Sequence, residues 1–433
     1  MPAELLTESL EPRNLIQYGP LLSRRLKHGN PEKRRPVLLP AGIVAMVLSI
    51  SVKPYLRVAM LFCLCWISKY ASAHEQANVE HVIVYREEGR FAGWPANHGI
   101  WIWGDEILTG FSRGYYEDLG NFHNINRKRP EEMLLVRSKD AGRTWSVEEP
   151  RPKGMLIGTA AVRHGTMPEG TTDETLIDLK EPINFTDPNL AFTIRMENKD
   201  AGTSRFFYSY DRGQTWKGPF RLPLFDQKGV MARTDYIVDG PRECTLFLTG
   251  SKENGKEGRP FCARTTDGGL TWNFLSFIAP EPKGVGYSIM PSTVRISPTE
   301  LVCTVRELEV PNKSWINAYV SRDNGKNWSF LSQPVPDTGE GNPPSLNKLP
   351  DGRLSLIYCV RKAPFKLEAR LSSDNGQTWS EPMVLRDDIA GRDIGYVRSI
   401  LRADGKVVAV YYIHVNGNPT RFIGGTIWDP GDK

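Results

Sequence analysis

A chain of 433 residues with 40% hydrophobic and 24% charged residues has ordinary globular composition, which excludes disorder as its default and leaves room for two or three average domains or one large β-architecture. The formal net charge of +5 is mild, and part of it lies in RRLK and EKRR within the first 57 residues. There is no long basic face and no nucleic-acid motif, so nucleic acid is not an expected partner.

In chain order, residues 1–36 are polar and without periodicity, and two apolar runs follow, Val37 to Val52 and Val58 to Ile67. The second run reads as a signal peptide. Arg57 supplies the positive end, VAMLFCLCWI the apolar stretch, and Ala71-Ser72-Ala73 an A-x-A cleavage site. The expectation is a leader over 1–73, cleavage after Ala73 and export to the periplasm or cell exterior, with a folded region over 74–433. An uncleaved anchor is the alternative, although each run alone is too short to span comfortably. A membrane is a partner only through this segment. Cleavage would remove Cys63 and Cys65 and leave Cys244, Cys262, Cys303 and Cys359, whose spacing matches no zinc pattern. Cys303 and Cys359 sit in alternating apolar runs, where buried free thiols are expected.

From Ser138 onward one eight-residue turn recurs: SKDAGRTW, SYDRGQTW, TTDGGLTW, SRDNGKNW and SSDNGQTW. Its Asp falls at 140, 211, 267, 323 and 374, a period of 51 to 71 residues. That period suits a four-stranded propeller blade with variable loops. Each unit reads as strand, tight turn, strand, loop, and a third strand running into the box. After the fifth box, YVRSIL-RADGK-VVAVYYI and then RFIGGTIW form a sixth unit without a box, closed by VIVYR near Val82. The predicted fold is all-β, a six-bladed β-propeller. Within each box the Asp accepts backbone N–H bonds, the Gly supplies positive φ, and the Trp packs between blades. Five copies cannot be one active site, so these aspartates are structural.

Boxes of the form S-x-D-x-G-x-T-W on a six-unit β-chain resemble the Asp-box (BNR) repeats of the sialidase superfamily, over roughly residues 80–430. If each box joins the third and fourth strands, it shares a face with the turn between the first and second. Asp105, Asp351 and Asp404 are then turn formers. The resemblance implies that ligands sit on the opposite face. There the inner strands begin, near Arg90, Trp94, His98, Asp187, Arg233, Asp235, Tyr287, Asn342, Asp393, Tyr396 and Arg398. The second strands end there too, near Arg113, Tyr115, Asp118, Arg195, Arg306, Glu307, Arg361 and His414. Four of the six second strands end in Arg, at FSRG, FTIR, CTVR and YCVR. Guanidinium groups grip planar anions in a fork, so an acidic sugar or a sulfated or phosphorylated glycan is the natural ligand.

The resemblance further implies three arginines on the substrate carboxylate and a tyrosine nucleophile, an exception to the two-carboxylate scheme of glycosidases. A phenol avoids repulsion from that carboxylate but needs a neighbouring base. By position the nucleophile is Tyr396, the second arginine Arg306, and the third Arg361 or, later in its loop, Lys366. Asp118, with Glu117 beside it, matches the family's acid. Two departures stand out. Ala92-Gly93-Trp94-Pro95 replaces R-I-P at the first inner strand, with Arg86 and Arg90 nearby, and Met290-Pro291 replaces the E-S that partners the tyrosine. Asp393, Asp235 or Glu307 is left to act as base. His98 reads either as an acid–base group or as a structural histidine, and Trp94 as a sugar platform or a plug. The expected activity is an exo-glycosidase acting on a terminal acidic, sialic-acid-like sugar. The alternatives are a lyase on the same scaffold and a non-catalytic glycan-binding propeller. None of these requires a cofactor, and no spacing indicates a metal.

Overall fold

The computed structural model describes residues 78–120, 123–155, 163–171, 175–311 and 313–431. The expected leader over 1–73, with Cys63, Cys65 and the expected cleavage site at Ala73, lies outside the described residues. Six antiparallel sheets form the blades of a β-propeller. In the fifth blade Ser345–Lys348, Leu354–Val360, Lys366–Ser372 and Met383–Arg386 follow one another from the inside outward. The fourth blade repeats this with Tyr287–Arg295, Leu301–Val310, Lys313–Ser321 and Ser329–Gly339. The sixth combines Gly395–Leu401, Val407–Val415 and Asn418–Asp429 with the N-terminal strand Asn78–Tyr85, paired so that Val82 faces Gly425. That pairing closes the ring with ladder hydrogen bonds between the two ends of the repeat.

The boxes are built alike. In the fifth, Asp374 accepts from the Thr378 N–H at 2.9 Å and from its hydroxyl, while Ser372 donates to the carboxylate and accepts from the Gly376 N–H at 2.8 Å. Box tryptophans pack against the preceding blade. Trp216 lies 5.8 Å from Trp101, Trp272 stacks on Phe192, and Trp328 meets Phe247 edge-on. Burying these large rings ties neighbouring blades together. A box also touches the turn before its blade's second strand, as when Asn324 N–H donates to the Thr299 carbonyl. Boxes and turns therefore share one face.

The second blade departs from the expected plan. Among the described residues it has three strands, Ala191–Arg195, Arg205–Ser209 and Lys217–Arg221. Asp187 therefore precedes a second strand rather than an inner one. It lies on the box face, where Arg212 N–H donates to the Asn189 carbonyl and Asp187 itself accepts from Asn189 N–H at 2.8 Å. Cys244, Cys262, Cys303 and Cys359 are buried free thiols.

Towards the opposite face three bulky residues are strained: Trp94, just after Arg90–Gly93 in the first blade, Met290 within Tyr287–Arg295 in the fourth, and Tyr396 within Gly395–Leu401 in the sixth. Trp94, Met290 and Tyr396 have φ of 58, 55 and 51°. Left-handed backbone at bulky residues costs about 1–3 kcal/mol each and concentrates at functional sites. At Met290 and Tyr396 the strain coincides with a bulge in the ladder, a device that re-aims side chains.

Candidate functional site

Tyr396 is held from behind by Asn342, which is fully buried. Its Oδ1 accepts the Tyr396 N–H at 2.9 Å, and its Nδ2 donates to the Ile394 carbonyl at 3.0 Å. The neighbouring Gly395 has φ of 104°, and a Cβ there would meet Asn342 at 2.1 Å, so only glycine fits. The bulge thus points the phenol towards three arginines. Burial alone would raise the Tyr396 pKa, but the charges of Arg306, Arg361 and Arg233, with a hydrogen bond from Arg306, outweigh it and hold the phenol below its ordinary value.

The three arginines differ in what neutralises them. Arg233 is ion-paired with Glu257, and its Nε donates to Asn97 Oδ1 at 3.1 Å. Arg361 is spent on neutral acceptors, giving the Ile394 carbonyl bonds of 2.9 and 2.7 Å and the Tyr412 hydroxyl one of 2.8 Å. Arg306 lies 5.1 Å above the Tyr287 ring. Neither Arg306 nor Arg361 forms a salt bridge among the described residues. Their positive charge is left facing Tyr396.

Tyr396, Arg306 and Arg233 open into a cavity of about 1020 Å³, which Trp94 and Tyr287 also help to line, whereas Arg361 lies behind its wall. Its far wall is aromatic. His164 stacks on Trp94 at 4.2 Å, and His123 stands edge-on to the same indole at 5.1 Å. Burial, then the neighbouring His123, brings the His164 pKa down to about 4, so this imidazole is neutral in ordinary conditions. Glu131 accepts the backbone N–H groups of His164 and Gly165 and fixes the turn that carries the stack.

The structure brings Tyr396, Arg306, Arg361 and Trp94 together and adds Arg233 as the third arginine. Other predicted residues lie elsewhere. Arg90 and Arg113 both bind Glu132, at 3.0 and 2.7 Å, and Arg113 also binds Glu87. Asp118 is exposed and closes a turn by accepting the Gly120 N–H at 3.0 Å. Arg195 sits beneath Trp94 and His164 and donates to the Asn97 carbonyl at 2.6 Å; burial, then Arg163 and Arg233, lowers its pKa to about 9. His98 is 2% exposed, packs over Gly110 and makes no hydrogen bond through either ring nitrogen among the described residues. Burial drives its pKa well down, which makes it a neutral core histidine.

Asp393 is not placed as a base on Tyr396. It is buried and accepts from His123 at 2.7 Å, Tyr412 at 2.8 Å, Arg421 at 3.0 Å and the Asn124 N–H at 3.3 Å. Burial opposes its charge, but these partners hold it well below the usual carboxylate range. Asp235, largely buried, bonds Thr293, and Glu307, buried, bonds Ser288 and Tyr319. Among the described residues no carboxylate hydrogen-bonds the Tyr396 hydroxyl. His123, His164 and Glu257 carry no local sequence signal that sets them apart.

A profile of the BNR repeat-like domain matches residues 178–409. No curated protein matches at a significant level. Among solved structures, a protein of unknown function from Dyadobacter fermentans has a TM-score of 0.59 at 21% identity, over 81% of this chain and 99% of that one. A mutant α-L-arabinofuranosidase from Fusarium graminearum, in complex with an iminosugar inhibitor, has a TM-score of 0.50 at 13% identity, over 80% and 96%. The NanB sialidase from Streptococcus pneumoniae has a TM-score of 0.49 at 11% identity, over 80% and 70%. At these identities the likeness is one of fold.

Proposed function

The chain belongs to the BNR repeat-like domain family, and from that premise we propose that it is a glycoside hydrolase that removes a terminal acidic, sialic-acid-like sugar from a glycan. One observation carries this reading. Three guanidinium groups converge on a phenol at the edge of a large open cavity, and two of them lack a carboxylate partner among the described residues. Arg306 suits a sugar carboxylate, because a bidentate charge-assisted pair is the strongest polar contact a side chain offers, and Arg361 adds positive charge from behind Tyr396. Tyr396 then attacks the anomeric carbon as a phenolate favoured by the surrounding positive charge, with no carboxylate of its own to repel the substrate. The arabinofuranosidase shows that a glycosidase can be built on this fold, which is an analogy of scaffold only. The signal-like segment that ends at Ala71-Ser72-Ala73 supports action outside the cytoplasm.

That no carboxylate among the described residues hydrogen-bonds the Tyr396 hydroxyl favours a second reading, β-elimination from a uronic sugar. There the arginines would neutralise the carboxylate and Tyr396 would remove the adjacent proton.

The purified protein assayed on a fluorogenic sialoside beside uronic and neutral glycosides tests both. Release from an acidic glycoside with a saturated product supports the hydrolase. An unsaturated product absorbing in the ultraviolet selects the lyase, and turnover of neutral glycosides alone removes the acidic-sugar reading.

A further inference from the structure

A departing aglycone needs a proton, and Asp118, exposed and tied into its own turn, is not among the residues lining the cavity. We propose that His123 is the acid–base residue of this cavity and that Asp393 is its positioning residue; the inference rests on the glycoside hydrolase reading above.

The geometry assigns the proton positions. The Asp393 carboxylate accepts from Tyr412, Arg421 and the Asn124 N–H, so it is a fixed acceptor. His123 Nδ1 lies 2.7 Å from Asp393 Oδ1 and must carry a hydrogen to bond there. Nε2 is left as the exchangeable nitrogen, and no hydrogen bond to it is made among the described residues. The ring is 30% exposed, lines the same cavity as Tyr396, and is wedged edge-on against Trp94 at 5.1 Å and His164 at 5.3 Å. A carboxylate behind an imidazole fixes its tautomer and orientation, as in hydrolytic triads. Tyr412 braces both partners. Its hydroxyl binds Asp393, and its ring stands 6.1 Å from that of Tyr396.

In the first step the Tyr396 phenolate oxygen bonds to the anomeric carbon as the glycosidic C–O bond breaks. The released electron pair goes to the aglycone oxygen, which takes the proton from charged His123 Nε2–H. In the second step water attacks the anomeric carbon and gives a proton to the now neutral Nε2. The sugar–tyrosine bond breaks, and the phenolate and charged histidine are restored.

The test compares kcat/KM for two glycosides of the same acidic sugar, one with a dinitrophenyl aglycone that leaves without help and one with an alkyl aglycone that needs a proton. His123→Asn keeps an amide to face Asp393 and removes the cavity-side nitrogen, and His123→Gln is run beside it. Loss of general acid catalysis is worth about 10²–10⁴-fold. The expected result is a fall of that size on the alkyl glycoside, a much smaller fall on the dinitrophenyl one, and recovery of kcat on the latter with azide, which attacks without shedding a proton. Asp393→Asn should give the same split in milder form. Equal falls on both substrates, or none, would overturn the role of His123. A wild-type protein inert on both would overturn the hydrolase reading and this inference with it.

Discussion

Arg361 donates a 2.8 Å hydrogen bond to the hydroxyl of Tyr412, whose own hydrogen goes to Asp393 at 2.8 Å. Tyr412 is fully buried, so both bonds are made away from water, where leaving either partner unmet costs about 1–3 kcal/mol. The bridge joins the arginines around Tyr396 to the carboxylate behind His123. The two walls of the cavity are therefore held in one register by a side chain of the sixth blade's second strand.

Replacing the Tyr396 hydroxyl tests the nucleophile. Tyr396→Phe keeps the ring and its contact with Tyr412, so the unfolding temperature should not change. Turnover of an acidic glycoside should fall about 10³-fold or more, as when other nucleophiles are removed. Activity near the wild-type level would take Tyr396 out of the mechanism.

Arg306→Lys retains the charge but loses the planar fork. Binding of an acidic sugar should weaken roughly 10- to 100-fold, the value of a charge-assisted hydrogen bond or two. Neutral sugars should be nearly unaffected. Calorimetry with matched acidic and neutral ligands decides it, and equal losses would defeat the anionic-substrate reading.

Stability should depend on pH through Glu307 and Asp235. Burial raises each to about 7, from 4.5 and 3.8, against the opposing hydrogen bonds of Ser288 and Tyr319 on Glu307 and the Arg398 charge beside Asp235. A raised folded-state pKa means the native state holds its proton more tightly than the unfolded chain. The stabilisation is complete below the unfolded values near 4 and is lost as pH rises through about 7. The unfolding temperature should fall between about pH 4 and 7 on this account, and Glu307→Gln, neutral throughout, should flatten the fall. An identical slope in the variant would show that Glu307 does not contribute.

Asp374→Ala removes the acceptor of three bonds within one box, on the face away from the cavity. Stability should drop by about 1–3 kcal/mol while kcat and KM stay within about twofold. A loss of activity without loss of stability would mean that the box face has a part in function.

The repeat made the blades legible. Five boxes 51 to 71 residues apart mark a unit too short to bury its own faces, so the units had to stack, and VIVYR was the strand left to close them. Tyr396 and Arg306 were legible for the same reason, since each holds a set place within its unit. Asp187 was misplaced because the second blade lacks the expected inner strand among the described residues, which moved the residue to the other face.

By itself, then, the sequence determined the architecture and the residues that a periodic strand delivers to the face opposite the boxes, because periodicity and turn chemistry are local properties of the chain. Tertiary structure alone decided which charges are free to act. Arg90 and Arg113 look like Arg306 along the chain, yet Glu132 neutralises both, while Arg306 meets no carboxylate among the described residues. His123 and Asp393 lie 270 residues apart, in loops that no repeat fixes, and closing the ring is what brings them to 2.7 Å. An ion pair depends on distance through space, and a one-dimensional pattern does not contain that distance.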